Sequence, residues 1–245
     1  MKKKKVLFYS IGLLLVTALF FWEIAQPSKS DYNALWSNIK SQLKRDNPNW
    51  TPTVGDRGSG VQPSKKGLVI FLCGPDLKNL SSLDQYNFYV VSLMNVEIKN
   101  LNFLKNSDKL EKLFIASASG VKDISILHNK KLNHLSLSRT GVEDISILKK
   151  LPLEKLSLSF SEVADISPLS KIKTLTLVGF SGCKKLKDIS SLANSPALKY
   201  VMLSNSGVED LTPLKGIELD YLDITNTPAA KKPLPKDLKV KKIYK

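Results

Sequence analysis

The sequence predicts an α/β solenoid, a stack of short repeats that share one elongated apolar core. An apolar-x-apolar pair recurs eight times between residues 70 and 224, at intervals of 19 to 26 residues. A second pattern, apolar-x-x-apolar-x-x-apolar, follows seven of these pairs in constant register. One repeat of this length cannot bury its apolar side chains alone, so neighbouring repeats must stack.

Each apolar pair predicts a short strand whose alternate side chains point inward. The sixth pair lies 26 residues before the seventh, which we interpret as an insertion at residues 178–185 that forms a loop. If the sixth pair, Leu175/Leu177, points inward, then Thr174, Thr176 and Val178 face outward. The eight pairs are Ile70/Leu72, Val91/Leu93, Leu113/Ile115, Leu135/Leu137, Leu156/Leu158, Leu175/Leu177, Val201/Leu203 and Leu222/Ile224.

One aspartate recurs in the second half of five repeats, directly before an apolar residue. Its carboxylate can accept free backbone N–H groups at the start of a helical turn, which explains one acid per repeat. A ladder of calcium ligands is the alternative interpretation. The five residues are Asp123, Asp144, Asp165, Asp188 and Asp210.

Two stretches, LSLSRTGVEDISIL at 135–148 and VMLSNSGVEDLTPL at 201–214, resemble leucine-rich repeats of the internalin-like bacterial class. DISPL at 165–169 is similar to the convex-side signature of that class. The resemblance covers residues 67–227. It implies a curved, right-handed leucine-rich-repeat coil with a parallel sheet on the concave side and short helical or 3-10 turns on the convex side. For function it implies a scaffold for protein recognition.

The domain boundaries follow from these patterns. Residues 67–230 are the predicted repeats, and residues 231–245 are a basic C-terminal cap or tail. A Leu-Pro phrase at 234–240 is similar to another leucine-rich-repeat type and indicates a closing strand. Residues 28–66 are a helical cap and linker, because apolar residues recur at helical spacing from residue 32 to 43 and Asn47-Pro48 ends the helix. This helix either covers the first repeat or binds a partner.

The N-terminus predicts export. Four lysines at residues 2–5 precede an apolar run at residues 6–22, a pattern typical of a membrane anchor or a secretory signal. We expect residues 1–27 to be an uncleaved transmembrane helix. The chain would then be a single-pass protein of the bacterial inner membrane with its repeats outside the cytoplasm. Cleavage near Ala18, giving a secreted or periplasmic protein, is the alternative.

The net charge of +15 lies mostly at the ends of the chain. Residues 1–27 carry +3, residues 28–66 carry +4 and residues 231–245 carry +6, which leaves +2 for residues 67–230. A nucleic-acid-binding protein would place its basic stripe on the folded surface, so we expect no nucleic-acid partner. The lysine-rich tail supports an alternative function, in which the chain binds the envelope or another polyanion.

The outward side of the predicted strands is the candidate binding face, because the resemblance implies that ligands meet this side of the sheet. The last repeats offer aromatic residues with polar neighbours, which are common anchors of protein interfaces. The middle repeats offer serine hydroxyls beside basic groups. Serine and threonine are also common in any solvent-exposed sheet, which is the alternative interpretation. We expect Tyr200, Met202 and Tyr221 to matter most, then Phe114 and His134, with Lys112 and Lys155 nearby.

The sequence predicts binding rather than catalysis. His128 and His134 are the only histidines, and neither has an evident nucleophile or carboxylate partner in the repeat register. We therefore expect no cofactor and no metal; an enzyme with a separate partner domain, using His134, is the weaker hypothesis. Cys73 and Cys183 lie five repeats apart, roughly 24 Å at the usual strand spacing, which is too far for a disulfide. We expect a monomer with a protein ligand.

Overall fold

The computed structural model describes residues 33–52 and 59–245. The expected membrane anchor at residues 1–27 and part of the expected linker lie outside the described residues. Within those described ranges, no helix combines the length and the apolar character that crossing a membrane requires.

The first described element is the helix α1, Asn33–Asp46. Ile39 and Leu43 on its inner face are fully buried in the main core. The side chain of Asn47, just after the helix, binds the turn of the first repeat. Its amide oxygen accepts hydrogen bonds from the backbone N–H groups of Lys78 and Asn79, at 2.9 and 2.8 Å. The helix therefore covers the apolar end of the repeat stack and is hydrogen-bonded to it.

Ten strands form one sheet in the order of the sequence, within the described residues. The first pair is antiparallel, and every later pair is parallel. The strands are β1 Gly60–Ser64, β2 Gly67–Cys73, β3 Phe88–Met94, β4 Lys112–Ala118, β5 His134–Thr140, β6 Lys155–Ser157, β7 Leu177–Gly179, β8 Tyr200–Met202, β9 Glu218–Asp223 and β10 Lys239–Tyr244.

Short 3-10 helices lie between successive parallel strands, on the convex side. Their apolar residues, such as Leu83, Leu104 and Leu127, are buried and return the chain to the core. This arrangement confirms the predicted fold, a curved right-handed solenoid with its parallel sheet on the concave side. The 3-10 helices are Ser81–Leu83, Asn102–Leu104, Ser125–Leu127, Ser146–Lys150, Ser167–Lys171, Ser190–Asn194, Thr212–Leu214 and Pro228–Lys231.

The predicted register of the sixth repeat was wrong. In β7, Leu177 pairs with Lys155 of β6 and Tyr200 of β8, so it faces outward. The inward pair is Val178/Phe180, and both side chains are fully buried. Leu175 is also buried, but it lies before the strand, as Leu153 does in the preceding repeat. Leu175 and Leu177 therefore match the apolar-x-apolar pattern but do not form an inward pair.

The corrected register removes the predicted insertion at residues 178–185. The inward pairs of the fifth, sixth and seventh repeats begin at Leu156, Val178 and Val201, which are 22 and 23 residues apart. These intervals are within one residue of the 21 or 22 residues that separate the other inward pairs. No loop therefore projects from the sheet at this point, and Thr174 and Thr176 lie before β7 rather than in it.

One lysine occupies a core position. Lys130 corresponds to Leu151 and Ile172 of the next two repeats, and only 7% of its surface is exposed. Its ammonium group donates a hydrogen bond to the carbonyl oxygen of Lys105 at 2.9 Å and lies 3.4 Å from a carboxylate oxygen of Asp108. The cation is thus kept in the stack by a carbonyl partner and an exposed acid at the surface.

Candidate functional site

The parallel register brings the predicted binding residues into one row across the concave face. Lys112 pairs with His134, His134 with Lys155, and Tyr200 with Tyr221 in adjacent strands. Leu177, which the sequence placed on the inner side, completes the row between Lys155 and Tyr200. A second outward row, two residues further along each strand, consists of Phe71, Ser92, Phe114, Ser136, Ser157, Gly179, Met202 and Asp223.

The predicted residues differ in their accessibility. Lys112, Phe114, Met202 and His134 are buried, and His134 has only 3% of its surface exposed. The concave curvature explains this, since it crowds outward side chains of neighbouring strands. The half-buried members are Lys155, Tyr200 and Tyr221. Buried residues therefore form the floor of the face, and the tyrosines and Lys155 are the groups that a ligand could reach first.

A second hydrophobic cluster lies on the outward face, separate from the main core between the sheet and the convex turns. Its members come from two stretches of the sheet, β2–β4 and β7–β9. Sequence reasoning did not include Leu177, Tyr89 or the two valines among the candidate binding residues. The buried members are Val69, Val90, Phe114, Leu177 and Met202, with Phe71, Tyr89, Tyr200 and Tyr221 packed against them.

Tyr221 connects this cluster to the last strand. Its ring lies 5.5 Å from the ring of Tyr244, centre to centre. Burial, together with the nearby negative charge of Asp223, raises the pKa of Tyr221 to about 12. The phenol is therefore neutral at physiological pH and offers a ring and a hydroxyl group, which suits a protein interface.

Serine hydroxyls fill the sheet between the two apolar stretches. The oxygen of Ser138 lies 3.3 Å from that of Ser136 and 3.2 Å from that of Ser157, and Ser157 lies 3.3 Å from Ser159. Gly179 in the neighbouring strand leaves room for these hydroxyl groups, because a Cβ there would lie 3.1 Å from the Ser157 oxygen. All four serines are buried, so their hydroxyl groups partner one another and belong to the floor of the face.

His134 has a defined local contact. Its Nδ1 lies 2.7 Å from the amide oxygen of Asn133, so the geometry favours an Nδ1–H that donates to this oxygen. Residues 33–52 and 59–245 contain no group of three or more His, Cys, Asp or Glu side chains that could hold a metal ion.

The five repeated aspartates lie on the convex side, at the starts of the 3-10 helices. One carboxylate oxygen of each accepts a hydrogen bond of 2.7 to 2.9 Å from the backbone N–H two residues later. Asn79 and Asn100 make the same contact in the first two repeats. Hydrogen bonds from the turn residues lower the pKa of Asp123, Asp165 and Asp210 below the ordinary value.

The basic tail forms the last strand of the sheet, β10, parallel to β9. Lys239 and Lys241 in this strand form ion pairs of 2.7 Å with Glu218 and Asp220 of β9. Both pairs are exposed, so they contribute little to stability. They offset part of the positive charge on which the polyanion-binding alternative depends.

Cys73 and Cys183 are not joined by a disulfide. Cys73 is half-buried at the end of β2. Cys183 is fully buried, and its thiol donates to the carbonyl oxygen of Leu158 at 3.1 Å. Burial raises the pKa of the Cys183 thiol, so this group is a packing residue rather than a reactive one.

Comparison with solved structures shows two relevant likenesses, both to proteins of Listeria monocytogenes. The first is an internalin (inlF), with 27% identity and a TM-score of 0.56 over 61% of this chain and 45% of that one. The second is internalin C2, with 23% identity and a TM-score of 0.52 over 66% of each chain. This chain thus spans less than two thirds of either structure. Neither a family model nor a curated protein matches the chain.

Proposed function

We propose that this chain, an internalin-like leucine-rich repeat protein, is a membrane-tethered module that binds a protein ligand outside the cytoplasm. The second hydrophobic cluster on the outward face of the sheet carries the proposal. The repeats bury their shared core on the other side of the sheet, so stacking does not require apolar residues here. Apolar and aromatic side chains grouped on an accessible face are typical of a recognition site.

The C-terminal stretch of the face is the proposed anchor region. Tyr200 and Tyr221 pair directly across β8 and β9, and Met202 lies buried beside them. The two half-buried tyrosine rings and the buried thioether of Met202 together suit an apolar or aromatic side chain of the ligand. Lys155, which is half-buried, then offers a polar contact towards the centre of the face, where a carboxylate or a peptide carbonyl group of the ligand would bind.

The tether and the location rest on the sequence of residues 1–27. Basic residues before an apolar run favour a helix that leaves its lysines in the cytoplasm and the repeats outside. The test compares the gel mobility of the chain from cells with that of the full-length translation product. Equal mobility with retention in the membrane fraction supports the uncleaved anchor, whereas a shorter chain means that the signal is cleaved.

The ligand-binding face is tested by crosslinking in native membranes. A photoreactive phenylalanine replaces Tyr200 in one variant and Tyr86 in a control. Tyr86 is also half-buried, but it lies near α1, with its hydroxyl 3.4 Å from Gln42. A protein that is captured from position 200 and not from position 86, and identified by mass spectrometry, is the candidate ligand.

Affinity then measures the role of the two anchors. Tyr200→Ala and Tyr221→Ala in the full chain should each weaken binding of the captured protein by roughly 30-fold or more, the effect of losing an interface anchor. Tyr86→Ala should bind like the wild type. Full affinity in both anchor variants would show that the ligand does not use this face.

A further inference from the structure

The two edges of the solenoid carry opposite charge in its three central repeats. We define the basic flank as residues 128–133, 149–154 and 170–176, where the chain returns from the convex turns to the sheet. It holds six lysines and one glutamate, a net charge of +5. The opposite edge, residues 117–124, 139–145 and 160–166, holds five acids and two basic residues, a net charge of −3.

The charge of the basic flank is accessible. Five of its six lysines are exposed, and the sixth is the buried Lys130. None of the five forms an ion pair within the part of the chain that the structure describes. By contrast, the equivalent edge pairs Lys105 with Asp84 in the first repeats and Lys215 with Asp237 in the last ones. The five exposed lysines are Lys131, Lys149, Lys150, Lys171 and Lys173.

Repeat stacking arranges these lysines in rows. Lys150 and Lys171 end the neighbouring 3-10 helices Ser146–Lys150 and Ser167–Lys171, so they occupy equivalent positions. Lys131 and Lys173 are equivalent too, two repeats apart. The exposed ammonium groups therefore follow one another from repeat to repeat along this edge, as the charges of an extended polymer do.

We propose that the basic flank binds a linear phosphate polyanion. Lysine ammonium groups act as point charges that suit phosphate oxygens. The flank contains no Phe, Trp or Tyr, so it lacks both the stacking platforms of single-stranded nucleic-acid binders and the aromatic anchors of protein interfaces. It also lies at an edge of the solenoid, away from the concave face. The site is therefore independent of the proposed protein-binding function.

Long-chain inorganic polyphosphate is the probe, titrated calorimetrically into the full chain in uncharged detergent micelles. The flank variant is Lys149→Gln/Lys150→Gln/Lys171→Gln. The control, Lys231→Gln/Lys232→Gln/Lys236→Gln, removes the same charge from exposed positions of the tail. The N-terminal lysines are present in every variant, so their contribution cancels. Far-UV circular dichroism verifies that both variants are folded.

Counterion release sets the expected result. Five contacts at a salt slope of about −0.7 each predict that the wild-type affinity falls roughly 100-fold between about 50 and 200 mM salt. The flank variant keeps two contacts and should lose only about sevenfold over the same range. The tail control should follow the wild type.

Three results would overturn the proposal. The first is loss of binding in the tail control with retention in the flank variant, which would move the site to residues 231–245. The second is tighter binding of poly-glutamate than of polyphosphate, which would indicate an acidic protein. The third is binding to phosphatidylglycerol vesicles without binding to polyphosphate, which would indicate a lipid surface.

Discussion

Replacing Gly182 with alanine should disrupt a stack of side chains at the edge of the sheet. Gly182 has a φ of 76°, and a Cβ there would lie 2.4 Å from Cδ1 of Phe160. The Arg139 guanidinium lies over the same ring, 4.1 Å from the ring centre. A shift of the ring that makes room for the Cβ would disturb this cation–π contact.

Three contributions add to about 3 kcal/mol of lost unfolding free energy. The left-handed backbone conformation costs a residue with a Cβ about 1 kcal/mol. The displaced ring adds about 1.5 kcal/mol of overpacking, and loss of the cation–π contact adds about 0.5 kcal/mol. Gly216 is a matched control, because its φ is 77° and a Cβ there would meet no atom within 4 Å. Gly216→Ala should therefore lose only the backbone contribution.

Urea unfolding of the full chain, followed by circular dichroism, measures the difference. Gly182→Ala should be about 2 kcal/mol less stable than Gly216→Ala, a difference of about 1 M in the urea midpoint for a typical slope. In a Phe160→Ala background, the cost of Gly182→Ala should fall to that of Gly216→Ala. Equal stabilities of the two single variants would refute the steric reasoning.

Three further predictions concern stability and reactivity. Lys130→Met should be as stable as the wild type or more so in urea, because it replaces a buried ammonium group by an apolar chain of similar length, whereas Lys130→Ala should lose about 2 kcal/mol through the cavity it leaves. The turn hydrogen bonds hold the pKa of Asp165 below 3.8. The stability that they provide is complete above pH 3.8 and is lost as the pH falls through the lowered pKa. The melting temperature of Asp165→Asn should accordingly vary less than that of the wild type between about pH 5 and pH 2. An alkylating reagent should label Cys73 in the folded chain and Cys183 only after unfolding, as mass spectrometry can show.

Each of these predictions has a clear contrary result. If Lys130→Met were as unstable as Lys130→Ala, the ammonium group would be stabilising the stack through its hydrogen bond. An unchanged acid response in Asp165→Asn would mean that other carboxylates dominate unfolding in acid. Equal labelling rates for Cys73 and Cys183 in the folded chain would show that the repeat around Cys183 opens readily.

The fold was predictable because the same apolar core positions recur in each repeat. Seven of eight inward pairs were placed correctly by their spacing, as in Leu135/Leu137 of β5. The sixth failed because Leu175-Thr-Leu177 satisfies the same pattern as the true pair, Val178/Phe180. Even repeat spacing would have identified the true pair, because Val178 lies 22 residues after Leu156 and 23 before Val201.

The candidate site was only partly predictable. The sequence placed Tyr200, Met202 and Tyr221 on one face, because outward positions alternate with inward ones in any strand. It did not show that His134 is nearly buried, since that depends on how closely the curved sheet packs neighbouring strands.

The sequence by itself determined the repeat, the caps of its turns and the solenoid class, because each depends on contacts between residues close along the chain or at a fixed period. The tertiary structure alone decided the register of β7, the burial of the concave floor and the ion pairs between repeats. These features depend on which side chains of different repeats become neighbours. The hydrophobic pattern along one repeat does not specify the distances between side chains of different repeats.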